Sequence, residues 1–155
     1  ALSGELTVGD PRHPITSALP ADRKLLLTLD PSFIVEDPEA TVLGTSAGKA
    51  TLAVREYPEW RSVYSLLPLD RRLLLGVCRY AGVHVYSATF DPFSAGATYC
   101  VIHTTTEGAK RIVLPAPADV MELTTGRELG KGIGVIEERL PAGVTRIYRT
   151  LREGQ

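Results

Sequence analysis

The spacing of hydrophobic and polar positions changes character along the chain. Over the first forty residues short apolar runs, Leu6 to Val8, Leu25 to Leu29 and Phe33 to Val35, are separated by Pro11, Pro14, Pro20, Pro31 and Pro38. Proline lacks an amide donor and clashes with the preceding turn, so these runs predict short strands joined by turns. Thr41 to Leu43 and Ala50 to Arg55 are β-prone and flank the small-residue stretch Gly44 to Lys49, which predicts a hairpin.

From Arg61 to Tyr86 the pattern predicts a strand, a helix and a second strand. Arg61-Ser62-Val63-Tyr64-Ser65 is β-prone. Pro68 and Asp70 suit a helix start, where the missing amide costs nothing and an acid meets the positive end of the dipole. Leu73, Leu74, Val77, Cys78 and Ala81 fall at helical spacing on one face, with Arg71, Arg72 and Arg79 on much of the rest. Gly82 stands where a left-handed cap forms, and Val83 to Tyr86 resumes β character. The simplest topology makes the second strand parallel to the first through a right-handed crossover. One such helix covers one sheet face, so the other is expected to need a partner.

Beyond Asp91 to Gly96 the runs Tyr99 to His103, Arg111 to Leu114, Val120 to Leu123, Gly134 to Ile136 and Thr145 to Tyr148 alternate with turn signals. Short strands at that spacing predict a small antiparallel sandwich. The expected fold is therefore an α/β domain over residues 1–92, followed by a small antiparallel β-sandwich-like domain over 93–155.

Composition narrows the function. The 155 residues are long enough to bury a core, and 44% hydrophobic with 23% charged residues is the balance of a soluble globular chain. With 17 basic against 18 acidic side chains and no basic run, no nucleic-acid partner is expected. No apolar stretch approaches the ~18 residues a membrane span needs, so no membrane partner is expected either. Cys78 and Cys100 are too few for a disulfide framework, and His13, His84 and His103 are too scattered for a metal set. No metal or cofactor is expected. The chain opens on Ala1 rather than Met, which fits a processed or trimmed start.

Four features bear on chemistry. Gly44-Thr45-Ser46-Ala47-Gly48 matches the G-x-S-x-G nucleophile elbow, and Ser46, Asp91 and His103 stand in the chain order of a hydrolase triad. Against it, the residues are common turn formers, few strands precede them, and the following run ends at Pro58. Gly48-Lys49 is one residue short of a phosphate loop, and Ala50 replaces its hydroxyl. Tyr57, Trp60 and Tyr64 are the aromatic concentration around the single tryptophan, a surface for stacking a sugar or a packed element under the helix. The acidic pairs Glu36 with Asp37, Asp119 with Glu122, and Glu137 with Glu138 read as solvated charges unless their separation shows otherwise.

Beyond single motifs, the order of phrases is informative. They run His13-Pro14-Ile15-Thr16; Val35 to Gly44; Arg61 to Ser65; Ala81 to Tyr86; Ile112 to Pro115 with Ala118-Asp119-Val120; and Leu123-Thr124-Thr125-Gly126. Together they resemble the C-terminal ancillary region of bacterial multidomain glycoside hydrolases of the β-galactosidase type. In that group a catalytic barrel is followed by a glutamine-amidotransferase-like α/β domain, often linked with trimerisation, and then a small β-domain. The resemblance implies that residues 1 to about 92 are the second half of the amidotransferase-like domain. The G-x-C-x-G elbow of active amidotransferases is missing, and the barrel's paired glutamates have no counterpart in this sequence. It thus implies a non-catalytic assembly or accessory module, with other domains or subunits of a glycoside hydrolase as partners, a homo-oligomeric state, and carbohydrate as a ligand. A bacterial location, cytoplasmic or secreted, follows with it. The competing readings are a serine hydrolase using Ser46 and a carbohydrate-binding module using Tyr57, Trp60 and Tyr64.

Overall fold

The computed structural model describes residues 2–4, 6–19, 27–29, 32–66 and 68–152. The chain divides into two compact units, residues 1–83 and 84–155. Tyr86 and Phe93 both pack against the core of the second unit.

The first unit is built on a four-stranded sheet in the order β2 (Leu6–Val8), β4 (Thr41–Ser46), β5 (Lys49–Glu56), β6 (Arg61–Ser65), with every neighbour antiparallel. A separate antiparallel ladder joins β1 (Leu2–Gly4) to β3 (Leu27–Leu29). The expected hairpin is present but tighter than the sequence suggests: β4 runs to Ser46, and only Ala47 (φ 49°) and Gly48 (φ 72°) form the turn. Two consecutive left-handed residues make the I′-type reversal whose twist matches the flanking strands. Of the other early runs, Leu6 to Val8 is a strand, Leu27–Leu29 of the run Leu25 to Leu29 is one while residues 25 and 26 lie outside the described residues, and Phe33 to Val35 lies in an irregular segment.

The helix α1 (Arg71–Tyr80) forms where expected. Asp70 caps it, its Oδ1 accepting the N–H groups of Arg72 (3.0 Å) and Leu73 (2.9 Å). At the far end Gly82 has φ 74°, with Gly82 N–H donating to Arg79 O and Val83 N–H to Cys78 O. That is the paired closure of a left-handed glycine cap. The buried face is rotated from the expected one: Leu73, Gly76, Val77 and Tyr80 face the core, while Leu74 is exposed. The reason is Gly76. A Cβ there would stand 2.2 Å from the Ile15 carbonyl oxygen, so glycine alone lets the His13–Thr16 turn seat the fully buried Ile15 against the helix.

The parallel strand–helix–strand unit is corrected. Val83 to Tyr86 is not a strand, and every ladder among the described residues is antiparallel. The β character of Val-His-Val-Tyr is used otherwise: Tyr86 O accepts Val113 N–H at 2.7 Å, and the Tyr86 ring packs with Phe93 in the second core. The architecture is thus mostly antiparallel β-sheet with one short helix. The sheet face opposite α1 is also covered in its middle, since Ala53 is buried and segment 32–37 is tied to that face. The ties are Tyr64 OH to Phe33 O (2.8 Å) and the Arg55–Asp37 ion pair.

The second unit is a five-stranded antiparallel sheet, in the order β10 (Arg127–Leu140), β9 (Gly108–Glu122), β11 (Thr145–Leu151), β8 (Tyr99–His103), β7 (Phe93–Ala95). Two expected turns, Pro115 to Pro117 and Gly130 to Gly132, lie inside long strands. Between the pairs Val113–Val135 and Ala118–Ile133 the ladder is interrupted, and Leu114 to Pro117 oppose Gly134. In such a bulge the prolines forfeit no ladder hydrogen bond. Ile112, Leu114, Ala118 and Val120 all point inward across this interruption and share one core with Cys100, Ile102, Ile136, Leu140 and Tyr148.

Candidate functional site

Ser46 closes the β4–β5 hairpin opposite Lys49, a strand-to-strand reversal rather than the strand-to-helix turn of a nucleophile elbow. It is 2% exposed, and its Oγ has no hydrogen-bond partner, the one such buried side-chain atom among the described residues. The hydroxyl that the motif would present to a substrate is enclosed instead, with no base against it.

Asp91 and His103 belong to the second unit, and their side chains do not meet. The Asp91 carboxylate is buried and fully engaged. Oδ1 accepts Thr105 N–H (2.8 Å) and the Thr105 hydroxyl (3.0 Å); Oδ2 accepts Lys110 Nζ (2.8 Å) and the Thr89 hydroxyl (2.6 Å). Lys110 is 5% exposed at its side chain and also donates to Thr106 Oγ1 at 3.2 Å. Burial alone would push the Asp91 carboxyl up; Lys110 and the threonine donors outweigh it and hold the group well below the ordinary carboxylate range. His103 is exposed and bonds Thr145 Oγ1 through Nδ1 at 2.9 Å. A triad needs its acid on the histidine ring; here the acid is on a lysine. Lys110 was not singled out by the sequence, although the run Thr104-Thr105-Thr106 beside an alternating strand carried a signal for a polar cage.

The acidic pairs separate. Glu122 is 1% exposed at the end of β9, and its two oxygens take the N–H and hydroxyl of Thr124 and of Thr125. Burial opposes its charge, but these four donors prevail and lower it to about 2. Asp119 accepts Gly132 N–H at 2.9 Å; Glu137 pairs with Arg111 at 3.1 Å; Glu138 takes Arg127 and the Tyr148 hydroxyl. A cleft of about 480 Å³ lies along β10, with Leu129 and Ile133 in its wall and Arg111, Arg127, Glu137 and Glu138 already paired across it. No group of three His, Cys, Asp or Glu side chains that could hold a metal occurs among the described residues.

The aromatic group divides as well. Tyr57 and Trp60 flank the β5–β6 turn, which Tyr57 N–H closes on Trp60 O at 2.9 Å. Their rings stack with centroids 4.0 Å apart and planes 11° from parallel. Arg55 lies over the Tyr57 ring at 4.9 Å and forks to Asp37 and Glu39. Trp60 is 58% exposed. Tyr64 shares its sheet face but bonds Phe33 O, apart from the stack. The arrangement can present one flat ring to solvent; it cannot offer three.

No helix of the described residues is long and apolar enough to cross a membrane. No protein-family model, no curated protein and no solved structure matches the chain.

Proposed function

We propose that this chain is a non-catalytic assembly or accessory module of a carbohydrate-active glycoside hydrolase of the β-galactosidase type. The reading rests on the ordered phrases of the sequence, and several of them have structural work in this fold. His13 to Thr16 seats Ile15 on Gly76, Val35 to Gly44 carries the Asp37 anchor for Arg55, and Leu123 to Gly126 supplies the donors around Glu122.

The observation that carries the assembly role is the outward side of α1. Leu74 within the helix, Leu69 before it and Val83 after it are 49%, 61% and 55% exposed, beside the exposed Arg71, Arg72 and Arg79. Exposed apolar side chains within and at both ends of one helix, with charged residues among them, are the composition of a protein-docking surface. The chemistry-bearing groups favour the same reading, since Asp91, Lys110 and Glu122 are engaged by the chain's own donors and acceptors.

The test is sedimentation velocity on the product of the complete open reading frame, as it stands and with Leu69, Leu74 and Val83 changed to serine. The reading expects an oligomer that dissociates in the triple variant while its circular dichroism is retained. An unchanged oligomer, or a wild-type product that sediments as a monomer, would overturn it.

A further inference from the structure

Trp60 lies away from α1, on the other face of the sheet: it shares a side of β6 with Ser62 and Tyr64, whereas Val63 faces the core beneath the helix. Its stack is an ordered series, with Trp60 on Tyr57, the Arg55 guanidinium over Tyr57, and Asp37 and Glu39 on Arg55. A ring fixed in this way has already lost its rotamer freedom, so a ligand that stacks on it need not supply the cost of ordering it. The exposed Glu59 precedes it in the turn, while Arg61 turns to the α1 side, where it meets Tyr80 and Glu56.

We propose that the outer plane of Trp60 is a stacking platform for a pyranose ring of an oligosaccharide. A pyranose has a face of C–H groups, which suits the electron-rich face of an indole, and a rim of hydroxyls, which suits neighbouring charged and hydroxyl side chains. The surroundings disfavour the other flat ligands. A nucleobase would bring phosphates toward Asp37, Glu39 and Glu59, without the basic groove that single-strand binding uses. A protein partner calls for contiguous apolar surface, whereas the turn beside Trp60 carries Glu59 and the Arg55–Asp37–Glu39 group lies behind Tyr57. Beyond Trp60 the same face of β6 is closed by Tyr64, whose hydroxyl bonds Phe33 O, so the platform stacks one ring of the oligosaccharide. Tyr57 backs the platform and touches no sugar.

This deepens the accessory-module reading and rests on it for the class of ligand, but it is tested separately. Trp60 is the single tryptophan, so the indole emission of the whole chain reports on this one site. Titration with galacto-, gluco- and xylo-oligosaccharides should give a saturable change in emission for at least one series, with matching heat in calorimetry. Trp60→Ala should abolish the heat while circular dichroism stays unchanged, and Tyr57→Ala should weaken binding roughly 2- to 10-fold through loss of the stacked support. Emission indifferent to all three series, or heat retained in Trp60→Ala, would overturn the proposal. Failure of the triple-serine sedimentation test leaves this titration unaffected, so the two outcomes can be told apart.

Discussion

Replacing Lys110 by methionine isolates the buried ion pair of the second unit. The substitution keeps the length of the side chain and removes the ammonium, leaving a carboxylate with no exposed side-chain surface and no counter-charge. Breaking a buried pair from one side costs about 3–5 kcal/mol. Asp91 retains the Thr89 hydroxyl and both Thr105 donors, which places the expected loss near the lower end, about 3 kcal/mol, or more than a hundredfold in the folding constant. Asp91→Asn turns an amide toward the remaining ammonium and should cost at least as much. The double variant, which removes both charges, should recover most of the loss, because a buried pair replaced by neutral groups is often close to neutral.

The pH dependence has a definite sign. Asp91 is depressed in the folded chain, so its contribution is present above the unfolded value near 3.9 and is lost as the pH falls toward the folded value. In Lys110→Met the folded carboxyl moves upward, so acid should stabilise the variant relative to wild type and narrow the gap as the pH falls from neutral toward about 4. Urea unfolding followed by far-ultraviolet circular dichroism, at neutral pH and at pH 4, measures both effects. A single-variant loss under about 1 kcal/mol, or strictly additive single and double variants, would refute the reasoning.

Gly76→Ala should destabilise the first unit by about 1–3 kcal/mol in denaturant unfolding, although alanine is the better helix former, because its Cβ would meet the Ile15 backbone. Ala47→Asn should raise stability by about 0.5–1 kcal/mol, since asparagine tolerates the left-handed conformation that alanine holds at φ 49°. Ser46→Ala should stabilise by about 1 kcal/mol through removal of an unpartnered buried hydroxyl, and a fluorophosphonate probe should label neither form. Glu122 is depressed to about 2 from an ordinary 4.5, so its contribution holds above about pH 4.5 and fades as the pH falls to 2; Glu122→Gln should flatten that part of the acid-unfolding curve.

Much of the local structure was legible in the sequence. Asp70 and Gly82 bracket the helix because capping depends on residues within a turn of the helix ends, and the hairpin around residues 47–48 follows from β-prone runs around a glycine. The long strands were not legible, because Pro115, Pro117, Gly130 and Gly132 read as turns. Only the bulged register reveals that a coiled hairpin can hold them in mid-strand. The parallel crossover failed for a related reason: β propensity in Val83 to Tyr86 is a local property, while the backbone partner Tyr86 finds is Val113 within its own unit. At the candidate site the sequence could assemble Ser46, Asp91 and His103 by order alone. What it could not supply was competition, since Lys110 and Thr145 take the contacts that a triad would need. The aromatic concentration was visible from spacing, but the division of labour among Tyr57, Trp60 and Tyr64 depends on the turn geometry.

The central claim, a non-catalytic module serving a glycoside hydrolase, is tested most directly by partitioning activity. Hydrolysis of an aryl galactoside would be compared for the complete open-reading-frame product, for the isolated 155-residue chain, and for the product lacking these residues. The account predicts turnover in the complete product, none in the isolated chain, and retained chemistry in whatever of the truncated product stays folded. Turnover by the isolated chain, or a complete product with no glycosidase activity, would contradict it.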